Sequence, residues 1–137
     1  LSDHQETTQE VNPIINSEDE RILLNASKFI VFEQDKSELS ETMKIAIREF
    51  YRTARAYKGH DVVVKGISLK LIDLEKSKAN ALSRAKAVAN YLIDLGMNPN
   101  KIKIETKIAN YNDYESTQLS KAIAAELYFY GYQKEVK

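Results

Sequence analysis

The chain has 137 residues, enough for one ordinary domain that buries roughly two thirds of its unfolded surface in a single core. A hydrophobic fraction of 43% and a charged fraction of 29% are those of a folded globular protein rather than a disordered tail. Lys plus Arg and Asp plus Glu stand at 20 each, so no net field draws the whole chain to nucleic acid or to an anionic membrane, and any charged ligand has to be read locally.

Cysteine is absent, which removes disulfides, thiolate nucleophiles and cysteine-based zinc sites and says little about compartment. No apolar run approaches the ~20 residues of a membrane helix. The chain opens at Leu1 without an initiator Met, and the expectation is that a signal peptide or anchor has been removed.

Residues 1–19 are polar, lack a sustained period and contain Pro13, so they read as a tether leading into a domain over 20–137. RILLNASKFIVF gives two short apolar runs around Asn25-Ala26-Ser27, which suits a bent or hairpin-like lead-in with a first core strand at 28–32. After the turn residues EQDKS, Leu39, Met43, Ala46, Ile47, Phe50, Ala54 and Tyr57 recur at helical spacing. That helix is capped in this reading by Asp35 or Ser37 and stopped near Gly59.

DVVVKGISL is a β-branched apolar run, expected near the middle of a sheet. Ala81, Leu82, Ala85, Val88, Ala89, Leu92 and Leu95 form the stripe of a second helix over about 75–95, ended by Gly96 and Pro99. KIKIETKIA alternates as a half-exposed strand, NYNDYESTQLS reads as a loop with a helical turn near Leu119, and AELYFYGYQ closes as an aromatic strand. The order β-α-β-α-β-β predicts an α/β (α+β) two-layer sandwich, two long helices on a mixed sheet of about four strands.

That order and several segments resemble the OmpA-like domain family of bacterial envelope proteins, from Glu20 to Tyr130. RILLNASKFIVFEQDKSEL is similar to the family's opening strand, acidic turn and helix start. VVVKGISL is similar to its second strand, which ends Gly-His-Thr-Asp in the family. RAKAVANYLIDLGMNPNKIKIE carries the specific match, Arg-Ala-x-x-Val-x-x-Tyr-Leu followed by Gly, a turn and an Ile-containing strand.

The resemblance implies a periplasmic domain, tethered to the outer membrane through an N-terminal anchor, that holds the stem peptide of peptidoglycan. In the family an Asp accepts from the ammonium of diaminopimelate and an Arg forks onto its carboxylate. Aligned on the Arg-Ala pair, Arg84 takes the helix arginine's position, Gly66 keeps the glycine, Ile67 and Ser68 take the His and Thr, and Leu69 stands where the Asp belongs. Ser77 falls on a helix-start Asn, Asn80-Ala81 on a Leu-Ser pair, and Ile123, Ala124 and Ala125 where an Arg-Arg pair is frequent, with Lys121 the nearest base. Asp73 is the candidate replacement acid, reached by a short insertion before the helix.

The implied pocket (Gly66, Ile67, Ser68, Leu69, Ser77, Arg84) is thus a degenerate one, and Ile67 and Leu69 suit an apolar protein side chain better than a zwitterion. Two functions follow: a structural or docking component of an envelope-spanning assembly such as a secretion system, with subunits of that complex as partners, or a working peptidoglycan anchor. Arg84 carries two readings, a ligand-gripping residue and a solvated helix residue.

No cofactor and no metal is expected. His4 and His60 are the two histidines and lie far apart in sequence, while Asp73, Glu75, Asp113 and Glu115 sit in polar loops. No Gly-rich phosphate loop or Gly-x-Ser-x-Gly motif is present, so an enzyme is not expected. The outward half of the stripe Tyr128, Phe129, Tyr130 and Tyr132 is a candidate protein interface, against the plainer reading of a sheet edge.

Overall fold

The structure, a computed structural model, describes residues 14–16, 21–56, 58–59 and 61–134, with side chains over 27–56 and 61–129. Most of the tether at 1–19, both histidines and Tyr57, and the side chains of Tyr130 and Tyr132, lie outside the described residues.

Strands β1 (Ile14–Asn16), β2 (Arg21–Val31), β3 (Lys58–Gly59), β4 (Val62–Leu69), β5 (Ile102–Ala109) and β6 (Ala124–Lys134) form one mixed sheet in the order β1-β2-β6-β4-β5, with β3 on β6 beside β4. β4 and β5 are parallel and the other pairs antiparallel. Helices α1 (Glu41–Arg55) and α2 (Leu74–Asp94) supply the second layer. The four long strands and two helices are the expected sandwich, and the DVVVKGISL segment lies between β6 and β5 as its β-branched run predicts.

One core joins the layers. Ile30, Phe32, Val62, Val64, Ala125, Leu127 and Phe129 from the sheet side meet Ile47, Phe50 and Ala54 of α1 and Ala85, Val88 and Leu92 of α2. Phe50 and Phe129 pack edge to face, their centroids 6.1 Å apart.

Local details differ from the sequence reading in four places. Residues 21–31 form one continuous strand, not a bent lead-in, because β6 is equally long and pairs with it residue by residue from Arg21↔Lys134 to Val31↔Ala124. The cap of α1 is Ser40, whose Oγ accepts from Met43 N at 3.2 Å, rather than Asp35 or Ser37. The same helix ends at Ala56, and Gly59 pairs with Gly131 in β3. Residues 111–113 and 116–122 form 3-10 turns where a loop with one turn is expected. α2 stops as predicted: Gly96 takes φ 116°, a left-handed conformation that costs glycine little, and Met97 N donates back to Leu92 O.

Candidate functional site

The C-terminal end of β4, the start of α2 and the turn between β2 and α1 meet at one end of the sheet, and Arg84 is their common point. Its side chain is 1% exposed. Nε donates to Lys36 O at 2.9 Å, Nη1 to Ile67 O at 3.0 Å and Nη2 to Glu33 O at 3.3 Å, with the guanidinium 5.7 Å from the Phe32 ring centroid. Burial pulls its pKa down and Asp35 partly offsets that. Three carbonyl dipoles solvate the charge in place of water, which is how a buried guanidinium is tolerated. Arg84 is therefore neither a solvated helix residue nor an open ligand grip in this structure.

α2 faces the β2–α1 turn with a polar stripe at four-residue spacing. Lys76 Nζ lies 3.9 Å from Asp35 Oδ1, Asn80 Nδ2 donates to the same oxygen at 3.4 Å, and Arg84 reaches the turn's backbone. Residues four apart share one helix face, so the three read one loop. Asp35 holds a left-handed backbone, φ 63°, which turns Glu33–Lys36 back under the helix. Beside this turn lies a groove of about 460 Å³ lined by Val31, Phe32, Glu33, Lys36, Leu39 and Met43 among others.

The aligned pocket residues have separate placements. Gly66 lies directly under α2, where a Cβ would overlap the Ala81 carbonyl oxygen, so the backbones meet only because no side chain intervenes. Ser68 is buried and donates to Leu69 O at 3.1 Å. Ser77 Oγ accepts from Leu71 N at 2.7 Å and donates to Asp73 O at 3.4 Å, pinning the β4–α2 connection to the helix start. Asp73 is the N-cap of α2, its carboxylate accepting from Lys76 N at 3.2 Å. It is not among the hydrogen-bond partners of Arg84; the acid whose field reaches Arg84 is Asp35.

Ile67 is buried and Leu69 half-buried, both on the sheet face away from the helices or beside its end. Ile67 forms a second apolar cluster with Ala109 and Ala122, joined by Phe29, Leu69 and Tyr114. The 3-10 segment 116–122 covers this cluster, and Lys121 Nζ sits 4.9 Å from the Phe29 ring centroid. Ala124 and Ala125, at the Arg-Arg position, are buried in β6. In the sequence Glu33 and Lys36 read only as turn residues and Asp35 as a candidate helix cap; the signal for their role here is the match between an acidic turn and a helix with Lys76, Asn80 and Arg84 at i, i+4 and i+8. Among the described residues no group of three His, Cys, Asp or Glu side chains could hold a metal ion.

The fold is a two-layer sandwich with a polar turn-to-helix site at the carboxyl end of its central strand β4. The sequence model of the OmpA family matches residues 31–125, and the chain belongs to that family: it is a periplasmic domain of the bacterial cell envelope. No curated protein matches the chain.

Solved structures share the fold. The OmpA-like domain of FopA1 from Francisella tularensis is 24% identical with a TM-score of 0.61, the match covering 93% of this chain and 83% of that one. The C-terminal domain of Helicobacter pylori MotB is 22% identical with a TM-score of 0.61, covering 74% and 83%. The peptidoglycan-associated lipoprotein of Burkholderia pseudomallei is 14% identical with a TM-score of 0.57, covering 77% and 89%.

Proposed function

We propose that the chain is an anchoring domain that holds its parent protein to peptidoglycan. The observation that carries this reading is the span of the family match: residues 31–125 include both the β2–α1 turn and Arg84, which meet where open α/β sheets bind ligands. The likeness to a protein named for its association with peptidoglycan supports it.

With Leu69 in the acid's aligned position, the carboxylate offered to a ligand ammonium is Asp35, and Lys76 and Asn80 beside it offer donors to a ligand carboxylate. Arg84 shapes the turn that presents Asp35. Loss of that charge-assisted partner is worth roughly 1.5–3 kcal/mol, so Asp35→Asn is expected to lower affinity by one to two powers of ten. Co-sedimentation with purified sacculi tests this. The chain should pellet, and Asp35→Asn or Lys76→Ala should release it; a chain that stays in the supernatant at every concentration sinks the proposal.

A second reading is favoured by the apolar packing of Leu69 and by Arg84's engagement with three carbonyls. Under it the domain is a docking component of an envelope-spanning assembly, such as a secretion system, with a degenerate cell-wall site. Failure of the native chain to bind sacculi, together with gain of binding in Leu69→Asp, is the result that favours it.

A further inference from the structure

β5 leaves a long edge open. It pairs in parallel with β4 along all eight of its residues, and among the described residues no strand pairs with its other side. Such an edge presents unpaired N–H and C=O groups to solvent, and proteins ordinarily blunt it with lysines, proline, a bulge or a cover; here Lys103 and Lys107 alternate with Glu105, so the edge charges can complement a second copy as well as repel one. β5 contains no proline or glycine, its register with β4 is unbroken, and residues 103–107 are all exposed.

The side chains along this edge are ordered by face. Lys103, Glu105 and Lys107 share the face of Val63, Lys65 and Ile67, while Ile104, Thr106 and Ile108 share the helix-covered face of Val64 and Ser68. Ile104 is 43% exposed. On α2, Leu82 and Ile93 are also exposed, and each stands two residues, about 200° of helix rotation, from a residue that reaches toward α1 or its turn. Those residues are Arg84 and Tyr91, so Leu82 and Ile93 lie on the opposite flank of a helix that packs on β4 and β5.

We propose that β5 pairs antiparallel with β5 of a second copy of this chain, the two-fold axis passing at Thr106. The charge pattern selects both partner and register. An axis at Glu105 opposes Glu105 to itself and Lys103 to Lys107, an arrangement of like charges only. An axis at Ile104 gains Lys103 against Glu105 but sets Lys101 against Lys107. An axis at Thr106 opposes Glu105 to Lys107 twice and Ile104 to Ile108 twice, with no like charges facing.

Lys103, opposite Ala109 in that register, keeps its own-chain partner Asp61 at 3.7 Å. The pairing is isologous, continues the sheet, and brings Leu82 and Ile93 of both copies to the junction, covering apolar surface that each copy alone exposes.

The cysteine-free chain makes the register directly readable. Antiparallel partners lie about 4.5–5.5 Å apart at Cα, within disulfide reach. Thr106→Cys should cross-link to itself under mild oxidation, whereas Ile104→Cys and Ile108→Cys should cross-link to each other when mixed and little when alone. Sedimentation equilibrium of the full chain should show a monomer–dimer equilibrium. Glu105→Lys should weaken it about tenfold or more, and adding Lys107→Glu to that variant should restore it, because the opposed pairs are then attractive again.

Circular dichroism checks that each variant folds. A native chain that sediments as a monomer throughout the micromolar range overturns the proposal, as does a cross-linking maximum at any position but 106 or a double charge variant that fails to regain association.

Discussion

Arg84 and Ile67 are joined by a buried hydrogen bond of 3.0 Å that runs from the helix layer to a strand carbonyl, Nη1 donating to the main chain of β4. The same guanidinium holds Glu33 O and Lys36 O, so one side chain ties the central strand, the second helix and the β2–α1 turn together. The arginine that the family resemblance marks as a ligand residue thus determines the shape of the site here.

Removing it should therefore cost stability before it costs binding. Arg84→Ala strands three carbonyls and is expected to lower unfolding free energy by about 3 kcal/mol or more. Arg84→Lys should recover only part, since an ammonium lacks the planar fork that spans separate acceptors. Urea denaturation of the three proteins measures this; equal midpoints for Arg84→Ala and the native chain would show that the carbonyls find water without loss.

Gly66 gives a sharper steric prediction. A Cβ there meets the Ala81 carbonyl and the backbone of Ala85, atoms that cannot rotate away. Gly66→Ala should force α2 off β4 and destabilise the fold by about 3 kcal/mol, the upper end of ordinary overpacking. Ser68→Ala, two residues on, should change stability much less, because its hydroxyl donates only to the neighbouring Leu69 carbonyl. A thermal melt of the pair separates the two expectations.

How far the sequence is legible follows from the range of the interactions involved. α2 is readable because its stripe, its Gly96 stop and its Arg-Ala match are all local. The surroundings of Arg84 are not, since its partners Glu33 and Lys36 lie about fifty positions upstream and only the fold brings them together. The Asn25-Ala26-Ser27 segment looks like a bend by composition, yet β6 offers it a full-length partner and pairing prevails. Asp35, Ser37 and Ser40 all have capping chemistry, and the choice of Ser40 depends on where the turn at Asp35 releases the chain.

Asp73 separates a local role from a ligand role. Its carboxylate caps α2 through Lys76 N. Asp73→Ala should cost about 1 kcal/mol, the usual value of an N-cap, and Asp73→Ser should restore most of it. Sacculus retention should be unchanged in Asp73→Ser and lost in Asp35→Asn. The reverse ranking in the same sedimentation assay would make Asp73 the replacement acid.

Glu126 predicts a pH dependence with a definite sign. It lies in a row that crosses the sheet as Phe29, Glu126, Lys65 and Glu105. Burial pushes its pKa above the ordinary carboxyl value, and Lys65 and Lys107 offset only part of that, their ammonium groups lying 5.6 Å and 5.7 Å from the ring centroids of Tyr128 and Tyr114. A carboxyl whose folded pKa exceeds its unfolded value holds its proton more tightly when folded. Its contribution to stability is complete below the unfolded pKa and fades as pH rises through the folded one. Glu126→Gln has no such titration, so the urea midpoint of the native chain should fall relative to this variant as pH climbs from about 4, near the unfolded carboxyl value, until Glu126 is fully ionised. A midpoint difference that stays constant through that window would mean that Glu126 titrates alike in both states and that the lysines around it cancel its burial.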